Sequence, residues 1–272
     1  MKPLYLSLSI LVMANLFGVQ KSATGELPTY LEICKKAAED SYYFSNFRSM
    51  PGYSNIVECG LGGECDLYIF KHVDRSTYRK LEDFRKLDKI GNPVTNMLPN
   101  VGKFSGTVLR YIIIADQIGK LFQLPKQPKL AEIGAGFGGQ CYILSQLVDF
   151  SDYYIYDVPN VELLIDKVLG TLSVKNFVCV PMDDVLPEPV DLFISNYAYS
   201  ECSRETQLDY FERVLKYAER GYVLYNQTAG FQLSPDEFVL LLKAHNMNPT
   251  VLDEPIFSYT GNKLIIWDRT KR

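Results

Sequence analysis

Residues 130–140, Leu-Ala-Glu-Ile-Gly-Ala-Gly-Phe-Gly-Gly-Gln, decide the fold because a short apolar run leads directly into a cluster of glycines. The apolar run predicts a buried strand, and the glycines predict a tight turn into a helix. Gly134, Gly136 and Gly138 allow positive φ angles and let a ligand approach the bare backbone. The stretch therefore predicts a site for a nucleotide-like ligand at the end of a strand.

Two classes of cofactor use such a turn, and the residue before it favours one of them. Gly134, Gly136 and Gly139 also satisfy G-x-G-x-x-G, the fingerprint of dinucleotide-binding proteins. A dinucleotide places its pyrophosphate at the helix N-terminus, where the carboxylate of Glu132 would repel it. The cationic amino-acid end of S-adenosylmethionine (SAM) would be attracted instead. The pattern thus favours a SAM-dependent methyltransferase, with an NAD(P)-dependent oxidoreductase as the alternative.

Composition narrows the classes of partner. The chain has 272 residues, of which 47% are hydrophobic and 22% charged, as in ordinary globular proteins. Its net charge of −4 indicates no basic surface for nucleic acid, so we expect a small-molecule or glycan substrate. Neither the two histidines nor the six cysteines show the spacing of metal ligands, so no metal is predicted. The sequence does not indicate an oligomeric state.

The N-terminus resembles a signal peptide. Met1-Lys2 precedes Pro3–Val19, an apolar stretch that is short for a membrane-spanning helix. Residues 1–23 are therefore interpreted as a hydrophobic leader, either a signal peptide or an anchor, with an ordinary apolar segment as the alternative. Membrane contact is expected only through this leader. Because SAM is a cytosolic cofactor, methyltransferase activity favours the cytoplasm, whereas secretion would favour a non-catalytic binding protein on the same fold.

Strand and helix patterns alternate from residue 129 onward, which is typical of a parallel α/β sheet. The predicted strands cover 129–133, 153–157, 176–180, 190–195 and 221–226, and the predicted helices cover 138–148, 160–170, 203–218 and 234–246. The last two strands, Thr250–Phe257 and Lys263–Asp268, form a hairpin-like pair that closes the sheet with an antiparallel strand. A dehydrogenase would normally continue with a second βαβ half.

These patterns predict an α/β fold with a Rossmann-like SAM-dependent methyltransferase sheet. The SAM-binding domain is expected over residues 126–272. Residues 24–125 are expected to be mostly helical, with one strong helix over Phe104–Leu121, and to form an acceptor pocket or lid.

Residues after the second and third predicted strands are candidates for cofactor binding. Asp157 ends the second strand, where a carboxylate can accept both hydrogen bonds of a ribose diol. Capping of the following helix is its alternative role. Asp183 is predicted to receive the adenine amino group while Met182 packs on the ring, with a solvated turn as the alternative. Glu132 and the glycines would hold the remainder of the cofactor.

Residues after the fourth strand are candidates for catalysis, because chemistry in an open α/β sheet takes place beyond the carboxyl ends of its strands. Asn196, Tyr199 and Glu201 follow this strand, and Tyr197 lies among them as a candidate acceptor contact. Glu201 is the predicted general base for a hydroxyl acceptor. Its alternative role is that of an acid stabilised at a helix N-terminus.

Further acceptor contacts are predicted from two other regions. Asn226 and Gln227 follow the fifth strand, and Ser105, Arg110 and Tyr111 lie in the strong helix upstream of the sheet. A helix-face ion pair is the alternative role of Arg110.

With these motifs the chain resembles the bacterial sugar O-methyltransferase family. The resemblance covers residues 40–268 and rests on Glu-Ile-Gly-Ala-Gly-Phe-Gly-Gly-Gln at 132–140, Tyr-Asp-Val-Pro at 156–159 and Ser-Asn-Tyr-Ala-Tyr-Ser-Glu at 195–201. Upstream, Asn46-Phe-Arg48 and Phe104-Ser-Gly-Thr-Val-Leu-Arg-Tyr111 also match. The resemblance implies a SAM-binding fold and a sugar hydroxyl as the methyl acceptor.

Overall fold

The structure is a computed structural model that describes residues 27–271 except residues 61, 228, 229 and 257. The predicted leader over residues 1–23, with its interpretation as a signal peptide or anchor, lies outside the described residues. Among the helices that are described, none is long and apolar enough to cross a membrane.

The described chain alternates helices and strands in its second half, as the sequence predicts. The helices are Pro28–Glu39 (α1), Ser41–Asn46 (α2), Pro51–Val57 (α3), Gly62–His72 (α4), Arg75–Tyr78 (α5), Leu81–Phe84 (α6), Gly106–Leu121 (α7), Gly139–Ser145 (α8), Pro159–Thr171 (α9), Ala198–Glu201 (α10), Arg204–Arg213 (α11) and Pro235–Ala244 (α12). The strands are Asn96–Leu98 (β1), Gly102–Phe104 (β2), Lys129–Ile133 (β3), Asp152–Tyr156 (β4), Phe177–Cys179 (β5), Leu192–Asn196 (β6), Arg220–Tyr225 (β7), Thr250–Asp253 (β8) and Lys263–Asp268 (β9).

Seven of these strands form one sheet in the order β5-β4-β3-β6-β7-β9-β8. The strands from β5 to β7 are parallel to their neighbours, and β9 runs antiparallel between β7 and β8. The strand order reverses at β3, which is the switch point where ligands bind in open α/β sheets. This topology confirms the predicted fold class, a Rossmann-like methyltransferase sheet closed by an antiparallel last strand.

Several predicted elements are shorter in the structure, among them a helix of the second half and the first strand of the closing hairpin. The helix predicted over 203–218 ends at Arg213, because Val214 leaves the helical region with φ −126° and ψ −63° and a 3₁₀ turn follows over Leu215–Tyr217. The strand predicted to end at Phe257 ends at Asp253, and every residue of β8 is exposed at the edge of the sheet. Neither difference moves the ends of β3, β4 and β6, where the glycine turn lies.

The alternating strand residues separate two apolar layers. Tyr153 and Ile155 of β4 face the layer that contains α7, α8 and α9, whereas Tyr154 and Tyr156 face the layer that contains α11 and α12. Residues 27–125 contribute to the first layer, since α1 packs on α9 and α7 packs on α8. The N-terminal region is thereby fixed beside the glycine turn.

Candidate functional site

A cleft opens where β3, β4 and β6 end, between the glycine turn and the N-terminal helices. Its empty volume is about 1040 Å³, with the open solvent at its mouth included. The predicted site residues that line it are Arg110, Tyr111, Gly134, Gly136, Asp157, Met182, Asn196, Tyr197 and Glu201.

The glycine turn has the backbone that its sequence predicts, and two of its glycines reach the cleft. Gly134 and Gly136 have φ angles of +76° and +63°, and both line the cleft. Gly138, with φ +80°, does not line it and instead packs on Leu169 of α9, whose Cγ would lie 2.9 Å from a Cβ at position 138. This glycine lets the turn approach α9 closely, and its contact with the cofactor stays a prediction.

Asp157 joins the end of β4 to the glycine turn. Its Oδ2 accepts a hydrogen bond from the Gly136 backbone N–H at 3.1 Å, and its Oδ1 accepts one from the Val158 N–H at 2.8 Å. Burial raises the pKa of this carboxyl to about 7, although these backbone hydrogen bonds act in the opposite direction. A carboxylate has about four lone-pair sites, so the side chain retains acceptor capacity towards the cleft.

Glu132 does not line the cleft, so its predicted role towards the ammonium end of the cofactor, through water or backbone neighbours, stays a prediction. Its side chain is 1% exposed, and its Oε2 accepts a hydrogen bond from the Tyr153 hydroxyl at 2.8 Å. Burial raises the pKa of the carboxyl to about 8. Side chains on successive residues of β3 point to opposite faces of the sheet. Ile133 faces the cleft, so Glu132 points into the opposite layer under α8.

Two residues that line the cleft carry buried polar atoms without a hydrogen-bond partner among the described residues. Asn196 donates from Nδ2 to Gln140 Oε1 at 3.3 Å, which leaves its Oδ1 buried and unpartnered. The Tyr156 hydroxyl is the second such atom. Because an unsatisfied buried polar group is costly, both atoms fit a ligand that supplies hydrogen bonds at these points.

Glu201 is the last residue of α10 and lines the cleft. Its Oε1 accepts a hydrogen bond from Asn226 Nδ2 at 2.9 Å, while the Asn226 Oδ1 accepts one from the Ser200 hydroxyl at 3.1 Å. Asn226 itself is not part of the lining, so its predicted contact with an acceptor is corrected to one that orients Glu201. Gln227 is exposed next to it and also lies outside the lining.

Three other predicted residues lie away from the cleft. Tyr199 is fully buried and donates its hydroxyl to the Gln207 carbonyl at 3.0 Å, so it cannot touch a reacting group. Ser105 is also fully buried, where it caps α7 and accepts a hydrogen bond from Arg48 at 2.9 Å. Asp183 is exposed and lines a neighbouring depression beside α11.

Arg110 and Tyr197 form the end of the cleft on the β7 side of β6. The Arg110 guanidinium lies 5.2 Å from the centre of the Tyr197 ring, which is a cation–π distance. Tyr197 has a φ of +73°, a strained angle for a residue with a side chain, and its hydroxyl donates to Glu254. Such strain is held here by the hydrogen bond from its backbone N–H to the Leu224 carbonyl at 3.0 Å.

Sequence reasoning missed several residues of the lining. Tyr30, Val57 and Thr107 come from the N-terminal region, and Tyr210 comes from α11. Thr107 belongs to the same sequence block as Ser105 and could have been found there. The others carry no motif, because their contribution depends only on how distant elements pack.

Within the described part of the chain, no three histidine, cysteine or carboxylate side chains are arranged so that they could hold a metal ion. The cleft instead offers a carboxylate beside bare backbone, an unpartnered amide oxygen, aromatic walls and a second carboxylate. These groups suit an elongated ligand with a diol at one end and a cationic group near its centre.

Comparisons with known proteins find similar solved structures but no matching family. No protein-family model matches the chain, and no curated protein matches it. A SAM-dependent methyltransferase from Aquifex aeolicus is similar in structure, with 17% identity over 71% of this chain and 97% of that chain and a TM-score of 0.46. Magnesium protoporphyrin IX methyltransferase from Synechocystis, solved with bound SAM, has 13% identity over 59% and 78% and a TM-score of 0.48. TrmK of M. capricolum, solved with S-adenosylhomocysteine, has 14% identity over 65% and 70% and a TM-score of 0.44.

At such identities and TM-scores these likenesses carry no information about the ligand or acceptor of this chain. The fold class rests on the strand order itself. The resemblance to the sugar O-methyltransferase family stays a prediction.

Proposed function

We propose that the protein is a SAM-dependent methyltransferase that transfers a methyl group to a hydroxyl of a sugar or glycan. The observation that carries this proposal is the site at the switch point of the sheet, where Asp157 is bonded to the glycine turn and Asn196, whose Oδ1 is buried and unpartnered, lines the same cleft. A Rossmann-like sheet with an antiparallel last strand supports a methyltransferase over a dinucleotide dehydrogenase.

The residues of the cleft fit SAM in three parts. Asp157 would accept hydrogen bonds from the ribose diol, and Met182 would pack on the adenine. Gly134 and Gly136 leave room for the methionine part along their backbone. The unpartnered Asn196 Oδ1 would accept a hydrogen bond from the ammonium group, and the buried Glu132 would act on that group only through water or backbone neighbours.

When bound, SAM supplies an electrophilic methyl group on a sulfonium, which an acceptor oxygen displaces in line. Glu201 would take the proton of the attacking hydroxyl on its carboxylate as the C–O bond forms. Asn226 positions that carboxylate by its hydrogen bond at 2.9 Å, and Ser200 in turn fixes the Asn226 amide. Positioning of the acceptor against the methyl group supplies the remaining catalysis.

A sugar acceptor is supported by the resemblance of the sequence blocks and by the walls at the β7 side of the cleft. Tyr197 and Tyr111 present aromatic surface, on which the apolar face of a pyranose can pack, and Thr107 and Glu201 present hydrogen-bonding groups. We propose that residues 24–125 form this acceptor side of the cleft and that residues 126–272 bind SAM.

Calorimetric titration with S-adenosylhomocysteine, the product form of the cofactor, tests the cofactor assignment. We expect the wild-type protein to bind it and Asp157→Ala to bind it about 10- to 100-fold more weakly, because hydrogen bonds to a charged group contribute about 1.5–3 kcal/mol. Asp236→Ala is the matched control, since Asp236 is an exposed acid in the first turn of α12, outside the cleft. Binding of NAD in place of S-adenosylhomocysteine would contradict the proposal.

Methyl transfer from radiolabelled SAM to simple sugars and cell-envelope glycans tests the reaction. We expect Glu201→Gln to lower turnover by about 100-fold or more, which is the usual contribution of a general base. Glutamine keeps an oxygen for the hydrogen bond from Asn226, so the affinity for S-adenosylhomocysteine should not change. Equal turnover of Glu201→Gln and wild type would remove Glu201 from catalysis.

A further inference from the structure

Arg110 lies in the cleft with its hydrogen-bonding capacity unused. It projects from the first turns of α7, it is half-buried, and it contacts the Tyr197 ring through its guanidinium at 5.2 Å. Across the described residues, no hydrogen bond or ion pair to this guanidinium is formed. A half-buried guanidinium has five N–H donors, so a ligand that satisfies them gains a charge-assisted interaction.

The acids around Arg110 are committed to other partners. Glu254 is near enough for its charge to act on Arg110, but no salt bridge within 4.0 Å joins the two side chains. Its carboxylate instead accepts hydrogen bonds from the Tyr197 hydroxyl, from the Ser258 N–H at 3.0 Å and Oγ at 2.6 Å, and from Asn262 Nδ2 at 3.3 Å. Glu201 is bonded to Asn226.

Glu58 contacts Thr107 of the cleft lining, and its carboxylate is also engaged. Arg48 forms a two-point contact with its carboxylate at 2.6 and 3.1 Å, and Thr107 donates to it at 2.9 Å. A carboxylate or phosphate that enters the cleft would therefore meet Arg110 without competition from a protein ion pair.

The strands that lie next to Arg110 indicate which ligand would carry the anion. Asp157 and the glycine turn lie over β4 and β3, on one side of β6. Arg110 lies against Tyr197, which follows β6 and is hydrogen-bonded to β7 on the other side. This is the side of Glu201, the proposed base for the acceptor hydroxyl.

We propose that Arg110 binds an oxyanion of the acceptor, so that the substrate class is an acidic sugar, carrying a carboxylate or phosphate, and not a neutral sugar. This inference rests on the proposed methyltransferase function and adds to it the charge of the acceptor. The planar guanidinium would hold the oxyanion by paired N–H donors and so fix which hydroxyl faces Glu201.

The test titrates the protein saturated with S-adenosylhomocysteine with three probes: D-glucuronate, D-glucose 6-phosphate and D-glucose. At least one acidic probe is expected to bind 10-fold or more tightly than glucose. Arg110→Met should weaken that binding by about 10- to 100-fold, with Arg110→Lys between the two, because a hydrogen-bonded charge contributes more than a charge alone. S-adenosylhomocysteine itself should bind Arg110→Met within about 3-fold of wild type.

Arg204→Met is the matched control, because Arg204 is an exposed arginine that pairs with Glu237 outside the cleft. It should bind all three probes as the wild type does. A melting curve of each variant establishes that loss of binding is not loss of folding.

Three results would overturn the inference while leaving the proposed function intact. Glucose could bind as tightly as both acids, or neither acid could bind at all. Alternatively, Arg110→Met could weaken binding of S-adenosylhomocysteine but not of 5′-methylthioadenosine, which lacks the amino-acid carboxylate, and Arg110 would then bind the cofactor. If the wild-type protein failed to bind S-adenosylhomocysteine, the proposed function would fail first, before any sugar is added, and the inference would fail with it.

Discussion

Two carboxyl groups beside the glycine turn are held in environments that favour their protonated forms. Burial raises the pKa of Glu132 to about 8 and that of Asp157 to about 7. In the unfolded chain such groups titrate near pH 4. The folded state therefore binds these protons more tightly, and the stabilisation is present in acid and lost as the pH rises through the folded pKa values.

We expect the free energy of unfolding to decrease between about pH 5 and pH 8 and to decrease less in Glu132→Gln, whose amide does not titrate. Urea unfolding at several pH values within that range measures both slopes. Asp157 is retained in the variant, so some pH dependence should remain. If the free energy of unfolding changed with pH equally in the two proteins, burial would not keep Glu132 protonated in this pH range.

Gly134 is the glycine of the turn that no other residue can replace. Its φ is +76°, and a Cβ at this position would lie 1.9 Å from the Cβ of Ala198 at the start of α10. We expect Gly134→Ala to cost more than about 2 kcal/mol, because a left-handed backbone alone costs an alanine roughly 1–2 kcal/mol. Chemical unfolding measures this cost.

A second substitution separates the steric contact at position 134 from the backbone strain. Ala198→Gly removes the Cβ that would collide and leaves the Ala198 Cα, 3.5 Å away, as the next atom. The double variant should therefore be more stable than the sum of the single effects, while retaining the backbone cost. If the stability changes of the two substitutions were strictly additive, the cost of Gly134→Ala would come from backbone strain alone.

At the scale of elements, the sequence predicts the centre of the sheet well because its central strands are buried and largely apolar. The strand over 129–133 and the glycine turn after it were predicted at the residues where the structure has them. Which side chain of a strand or turn faces the cleft was harder to predict. Glu132 and Ile133 are adjacent residues of the same motif before the glycine turn. Because side chains alternate between the two faces along β3, Glu132 points into the core and Ile133 points to the cleft.

The wall of the cleft that comes from other elements could not be predicted from local patterns. Tyr30 and Val57 reach the site because α1 packs on α9 and α3 packs beside it. Such contacts join residues about a hundred positions apart and are fixed by tertiary packing alone. Tyr197 and Tyr199 illustrate the same limit, since only the start of α10 between them sends one ring to the cleft and the other to the core.

Arg48 connects the short N-terminal elements to each other and to the glycine turn. It is fully buried, it pairs with Glu58 and Asp88, and its guanidinium lies 4.5 Å from the centre of the Phe137 ring in the turn. We expect Arg48→Met to destabilise the protein by about 3–5 kcal/mol, because both acids are left without their buried partner. Chemical unfolding measures the change.

The cause of that destabilisation can be tested with two further variants. Arg204→Met, which removes an arginine from an exposed pair, should cost less than about 1 kcal/mol. Addition of Glu58→Gln to Arg48→Met should restore part of the stability, since it neutralises one abandoned carboxylate. No recovery would mean that Arg48 stabilises the protein by packing on Phe137 and not by its charge.

At the scale of the whole molecule, the N-terminal region and the sheet share one apolar core. A single cluster of buried side chains contains Tyr30 and Phe47 from the N-terminal elements, Ile112 from α7 and Leu264 from β9. The cleft lies at the same junction, with one wall from each part. A part of the chain that contributes to both the core and the cleft is expected to unfold together with the sheet.

Trp267, the one tryptophan of the sequence, allows this expectation to be tested. It is buried in β9 and its ring lies over Gly221 and against Phe193, so its fluorescence follows the sheet, whereas far-UV circular dichroism follows the helices of both parts. We expect the two signals to give one coincident transition in urea, and Arg48→Met to shift both curves by the same amount even though Arg48 lies in the N-terminal region. Two results would contradict this expectation. The dichroism could change before the fluorescence, or Arg48→Met could leave the fluorescence midpoint unchanged. In either case residues 24–125 would be a lid that unfolds independently of the sheet.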